Sequence, residues 1–180
     1  MAGRRGAVAG GASGDVLELG FGTGANWRYL PLGINYVGIE PDRAMLSRAR
    51  AHALDSDRAI RLIRAEAEAL PFAAASFDTV FATLTLCSVR NLDAVLKEIA
   101  RVLRPGGEFR FWEHVRPRNR IAGLITDVAS PGWARAGGGC RLNRRTTEAV
   151  SSQFAMEEIT TCRMFLPMVI GVGRLRPEKP

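Results

Sequence analysis

The stretch Asp15 to Gly24, Asp-Val-Leu-Glu-Leu-Gly-Phe-Gly-Thr-Gly, constrains this chain more than any other. Val16, Leu17 and Leu19 suit a buried parallel strand, and Gly20, Gly22 and Gly24 follow at alternate positions. Without Cβ atoms, these residues let a ligand approach the main chain closely. Ala25 to Leu30 then predicts the start of a helix, whose free N–H groups and positive end would face an anionic group. A strand, a glycine turn and a helix in this order predict a nucleotide-like cofactor. Two spacings compete. A dinucleotide pattern, Gly-x-Gly-x-x-(Gly/Ala), can be laid on Gly20, Gly22 and Ala25, but it matches weakly. The better fit is acidic-x-Gly-x-Gly-x-Gly, with Glu18 leading. A glycine-rich turn that holds no ligand is the bland alternative.

The same alternation continues downstream. Asn35 to Glu40 reads as a second strand ending in an acid, placed to accept from both ribose hydroxyls. Asp42 predicts a helix cap, and Ile60 to Arg64 a third strand. Thr79 to Leu84 predicts a fourth strand. Asn91 caps a helix whose Leu92, Val95, Leu96, Ile99 and Leu103 keep a 3.6 period until Pro105-Gly106-Gly107 ends it, before a fifth strand at Glu108 to Val115. A last helix candidate is Thr146 to Phe154, followed by possible strands Glu157 to Met164 and Val169 to Arg174. Strands alternating with helices specify a doubly wound, Rossmann-like α/β sheet with ligands at the carboxyl ends of its strands. Glu18, the glycines, Glu40, Glu66 and Ser88 all fall on that edge. Residues 1–14, rich in Gly and Ala, predict a disordered tail, and 15–176 a single domain.

Three segments resemble motifs of the class I S-adenosylmethionine (SAM) dependent methyltransferases: Glu18 to Gly24, Ala65-Glu66-Ala67-Glu68-Ala69-Leu70-Pro71-Phe72, and Leu103-Arg104-Pro105-Gly106-Gly107. The likeness is to the type-11, small-molecule class and runs from about Asp15 to Leu175. Leu86-Cys87-Ser88-Val89, Glu113-His114-Val115 and Gly139-Cys140-Arg141-Leu142-Asn143-Arg144 look most like the methyltransferase-like branch that includes animal alkyl-thiol methyltransferases. The resemblance implies a seven-stranded, mostly parallel sheet with one antiparallel strand near the C-terminus. It implies SAM as cofactor, held at Glu18, Gly20, Gly22, Gly24, Glu40, Thr83 and Leu84. By the same likeness Glu66 accepts from the adenine amino group and the Ala67 N–H reaches a ring nitrogen. The family often has Gly-Asp where this chain has Ala65-Glu66. The implied acceptor is a small molecule, a thiol or a lipid- or quinone-like compound.

His114 and Ser88 are the candidate catalytic residues, because a thiol or phenol must lose a proton and an imidazole can take it near neutrality. Cys87, Cys140 and Cys162 are far apart in sequence, with His52 and His114 the only histidines, so the spacing predicts no metal. The net charge of +7 raises a nucleic-acid methyltransferase as an alternative, yet all basic residues but Lys97 and Lys179 are scattered arginines, which reads as composition bias. A further alternative is a SAM-binding protein made inactive by a short amino-terminal cover. No apolar run approaches the roughly 20 residues of a membrane span, and no signal segment is convincing, which predicts a cytoplasmic protein. Ile121, Leu124, Ile125 and Val128 share one helical face. That face is expected to pack on the sheet, with an acceptor lid or peripheral membrane contact as the alternatives.

Overall fold

The computed structural model describes residues 2–54, 59–163 and 166–176. Its elements are α1 (Ala2–Ala9), β1 (Asp15–Leu19), β2 (Asn35–Ile39), α2 (Arg43–Leu54), β3 (Ile60–Ile63), β4 (Phe77–Thr83), α3 (Leu92–Val102), β5 (Leu103–His114), α4 (Arg120–Ala136), α5 (Thr146–Gln153), β6 (Phe154–Arg163) and β7 (Pro167–Leu175). The strands form one seven-stranded sheet in the order β3-β2-β1-β4-β5-β7-β6. All pairs from β3 to β5 are parallel, and β7 runs antiparallel to both β5 and β6. The reversal of strand order between β1 and β4 opens a crevice at the carboxyl ends, where such sheets bind ligands.

The period of two along the strands divides the core. Leu17, Leu19, Val80, Ala82, Phe109 and Phe111 face α3, whose Val95, Leu96, Ile99 and Val102 are all buried. Val16, Tyr36, Phe81 and Trp112 face the other way. Asn91 caps α3 by accepting from the Ala94 N–H at 3.1 Å, and Asp42 accepts from the Met45 N–H at 2.8 Å, as their sequence positions predict.

Three expectations are corrected. In place of a disordered tail, Ala2–Ala9 forms α1, and Val8, Ala9 and Ala12 are buried beside Phe81 and Trp112. Composition misleads here because long-range contacts hold the helix: Arg110 donates to the Val8 carbonyl at 3.0 Å and to the Ala7 carbonyl at 3.1 Å, closing the end of α1. After the glycines, no α-helix forms; Trp27–Tyr29 makes a single 3-10 turn. The segment between Gly24 and Pro31 is too short to repay helix nucleation. The apolar face of α4 does not pack on the sheet. Ile121, Leu124, Ile125 and Val128 are 63–77% exposed, while Gly123, Thr126 and Ser130 face inward. Polar ties fix that orientation, with Arg116 pairing to Asp127 at 2.7 Å and Ser130 donating to Asn143 at 2.9 Å.

Candidate active site

The glycine turn leaves β1 with positive φ at Gly20, Gly22 and Gly24. At Gly20 a Cβ would lie 2.5 Å from Thr85 Oγ1, so close approach of the β4 loop demands glycine there. At Gly22 the position of a Cβ meets nothing within 4 Å, which leaves open space against bare backbone. Glu40, nearly buried at the end of β2, reaches across this turn. It accepts from the Gly22 N–H and from the Asp42 N–H, each at 3.0 Å. A carboxylate retains further acceptor capacity beyond two such bonds.

Glu18 is fully buried beneath the turn. Asn26 Nδ2 donates to its Oε1 and Tyr36 Oη to its Oε2, both at 2.5 Å, and Trp27 Nε1 donates to Tyr36 Oη at 2.8 Å. Asn26 also donates to Thr83 Oγ1 at 2.8 Å. Arg5 of α1 closes the network, donating to Asn26 Oδ1 at 2.8 Å and to Thr83 Oγ1 at 3.2 Å. Desolvation pushes the Glu18 carboxyl up to about 7 against the opposing hydrogen bonds from Tyr36 and Asn26. Burial likewise raises the Tyr36 phenol above its ordinary value.

Beyond Thr83 the chain turns at Leu84, a non-glycine residue with φ of 59°, and its N–H donates to the Trp112 carbonyl at 2.8 Å. Holding a side chain in that region costs roughly 1–3 kcal/mol. The next turn is organised by Glu113. Its buried carboxylate accepts from the N–H groups of Thr85 at 2.7 Å, Leu86 at 2.8 Å and Cys87 at 3.1 Å. Desolvation raises Glu113 to about 7 despite those three donors.

This turn carries Cys87 and Ser88 towards His114 and Cys140. The Cys140 Sγ lies 3.7 Å from His114 Nδ1, and the Ser88 hydroxyl 3.7 Å from Cys87 Sγ. The donor atoms of Cys87, His114 and Cys140 all lie within 4.8 Å of one another. Hydrogen bonding from Cys87 and then His114 holds the Cys140 thiol well below its usual range, and the same bond to Cys140 raises Cys87. The bond to Cys140 also raises His114. Further out, Glu66 is half exposed and meets Arg90 at 3.4 Å, and Ala67 is buried in the core.

Residues 17–111 match the family described as "Methyltransferase domain". The human "Thiol S-methyltransferase TMT1B" is 36% identical over 168 residues, covering 88% of this chain and 69% of that protein. The chain belongs to the SAM-dependent methyltransferase family. The corresponding protein of Rattus norvegicus is 38% identical over 153 residues, 81% of this chain and 62% of its own length, so the methyltransferase spans about two thirds of these relatives. The "Ubiquinone/menaquinone biosynthesis C-methyltransferase UbiE" of Hahella chejuensis is 35% identical over 125 residues, 66% of this chain and 50% of that one. The fold matches the crystal structure of a putative methyltransferase from Bacillus halodurans C-125 with a TM-score of 0.80 at 14% identity, covering 96% and 97% of the two chains.

SAM is the cofactor of this family, and the turn of this methyltransferase fits it. Gly22 opens onto space that a side chain would fill, and Glu40 stands at the end of the neighbouring strand with acceptor capacity to spare. Gly20, Gly22, Gly24, Glu40, Thr83 and Leu84 lie at the carboxyl ends of β1, β2 and β4, with Thr83 Oγ1 accepting from Asn26 and Arg5. Glu18 does not line the open face: both its oxygens are occupied, so it holds Asn26 and Tyr36 beneath the turn. Glu66 reaches outward to Arg90. Arg5, Asn26 and Tyr36 carry no motif signal and were not legible as site residues. The spacing of the cysteines predicts no metal, because distance along the chain does not reveal that the β4 loop, the end of β5 and the loop after α4 meet.

Proposed function

We propose that this methyltransferase transfers a methyl group from SAM to the sulfur of a small thiol. The observation that carries this reading is the set of soft, polarizable groups at the carboxyl ends of β4 and β5, Cys87, Cys140 and His114 with Ser88 beside them. The names of the TMT1B relatives support it. SAM supplies an already activated methyl, so the protein has mainly to hold the acceptor sulfur in line, and positioning of this kind is worth up to ~7–11 kcal/mol. Glu40 would accept from the ribose hydroxyls, and the Gly22 backbone would lie against the cofactor. Glu113, through three N–H groups, sets the turn that carries Cys87 and Ser88. The free thiols of all three cysteines agree with a cytoplasmic setting.

The charge does not favour nucleic acid. Arg101 pairs with Glu98, Arg104 with Asp15 and Asp78, Arg110 with Glu108, Arg116 with Asp127, and Arg174 with Glu108 and Glu157. The test is titration with S-adenosylhomocysteine beside NAD, then incubation with SAM and an alkyl thiol, a quinol or RNA, with product mass read out. Binding of S-adenosylhomocysteine alone and appearance of the methyl thioether are expected. Methylation of the quinol or RNA but not the thiol would overturn the acceptor assignment.

No helix among the described residues is long and apolar enough to cross a membrane. For the outward face of α4 we propose peripheral contact with an anionic lipid surface. Ile121, Leu124, Ile125 and Val128 form an exposed apolar stripe, and the exposed Arg118, Arg120 and Arg135 flank it. Co-sedimentation with phosphatidylserine-containing vesicles is expected, weakened by salt and by Val128→Glu. Equal recovery with and without vesicles would reject the contact.

A further inference from the structure

We propose that Cys87, His114 and Cys140 form a three-ligand zinc site whose fourth position takes the acceptor thiol. The metal site stands on its own geometry, and its acceptor role rests on the thiol reading above. The three donors come from three separate segments: the turn after β4, the last residue of β5 and the loop between α4 and α5. With Zn–S of about 2.3 Å and Zn–N of about 2.0–2.1 Å, a tetrahedral site spaces its donors about 3.5–3.8 Å apart. Cys140 Sγ and His114 Nδ1 are 3.7 Å apart, and Cys87 Sγ joins them within 4.8 Å. A shift of about 1 Å by one side chain completes the triangle.

The backbone around the donors is held as a ligand shell requires. Glu113 accepts from the Cys87 N–H at 3.1 Å, and the Arg141 N–H donates to the Cys87 carbonyl at 2.8 Å, tying the two cysteine loops together. Arg144 donates to the carbonyls of Leu86 and Val89. Gly139, at φ of 87°, permits this approach, since a Cβ there would stand 3.2 Å from the Ser88 carbonyl. Closed structural zinc sites have four protein ligands, whereas sites with three leave a place for an exchangeable one. Among the described residues no fourth Cys, His, Asp or Glu joins this group. Cys87 and Cys140 are buried, and His114 is half-buried, so the open side lies towards the imidazole and Ser88. A soft thiol is the exogenous ligand that such a metal prefers. On binding, the acceptor loses its S–H proton to solvent and the sulfur lone pair forms the bond to zinc, which keeps the acceptor as a thiolate below its own pKa.

The test uses the full chain purified in a phosphine reductant, with zinc counted by mass spectrometry of the metal and with cobalt(II) exchanged for it. About one zinc per chain is expected. The cobalt form should show a thiolate charge-transfer band and tetrahedral visible bands, both altered by an added alkyl thiol. Cys87→Ser, Cys140→Ser and His114→Asn should each weaken metal retention at least tenfold, while S-adenosylhomocysteine binding, measured separately, changes less than twofold. Because a cysteine variant can fail to fold, His114→Asn with intact cofactor binding decides the matter. A protein that binds S-adenosylhomocysteine but neither zinc nor cobalt would overturn the site. A cobalt spectrum indifferent to thiol would overturn the open fourth position. Loss of S-adenosylhomocysteine binding in the unaltered chain would instead strike the methyltransferase reading.

Discussion

Tyr36 Oη donates to Glu18 Oε2 at 2.5 Å, joining β1 to β2 through a carboxyl that solvent does not reach. The Glu18 pKa rises from 4.5 to about 7 in the folded protein, with desolvation the largest cause. Between those values the folded state keeps a proton that the unfolded state has released. The stabilisation is therefore complete below the unfolded value and is lost as pH rises through the folded one. The full span is worth about 3 kcal/mol at 1.36 kcal/mol per unit. Urea denaturation at pH 5 and pH 8 should show a larger loss of stability with pH in the parent than in Glu18→Gln. Identical pH dependence in the two proteins would remove Glu18 as its source.

The glycine turn separates fold from binding. Gly22→Ala should cost only about 1–2 kcal/mol of stability through its positive φ, yet weaken S-adenosylhomocysteine at least tenfold. Gly20→Ala, which drives a Cβ into Thr85, should lose more stability than Gly22→Ala. Calorimetric titration and thermal melts of the pair check both, and unchanged affinity in a folded Gly22→Ala protein would show that the cofactor does not lie against this backbone.

Glu40→Ala should weaken S-adenosylhomocysteine by ~1–3 kcal/mol, the range for hydrogen bonds to a charged group. Glu40 also fastens Gly22 and Asp42, so part of that loss would come from loosening of the turn. A folded variant with parental affinity, measured by calorimetry, would reject the ribose role.

Glu113→Gln replaces an oxygen that accepts backbone N–H groups with an amide that cannot. A loss of about 2–4 kcal/mol is expected, since a buried donor left unpaired carries its full desolvation cost. Chemical denaturation gives the magnitude, and amide exchange should show faster opening at Thr85, Leu86 and Cys87 specifically. Uniform exchange across the chain would mean that Glu113 does not hold the turn.

Arg5→Met keeps length and apolar contact but removes the donors to Asn26 and Thr83 and the cation above the Trp112 ring, 5.7 Å from its centroid. A loss of about 1–3 kcal/mol is expected in thermal or urea unfolding. An unaltered melting curve would mean that α1 docks through Val8 and Ala9 alone.

The sequence by itself determined the strands, the capped helices and the glycine turn, because each is encoded within a few residues. Alternation along β4, the 3.6 period of α3, the caps at Asp42 and Asn91 and the glycines after Glu18 need no distant partner to be read. Tertiary structure alone decided the rest. Val8 and Ala9 make a helix only because Phe81 and Trp112 offer them a surface and Arg110 closes its end. Glu18 became a buried anchor because Asn26, Tyr36 and Arg5 surround it from three other segments. The inward face of α4 was chosen by Arg116, Asp127, Ser130 and Asn143, which override the apolar period of the helix. Cys87, His114 and Cys140 meet because parallel strands carry residues far apart in sequence to one edge of the sheet, and separation along the chain holds no record of that convergence.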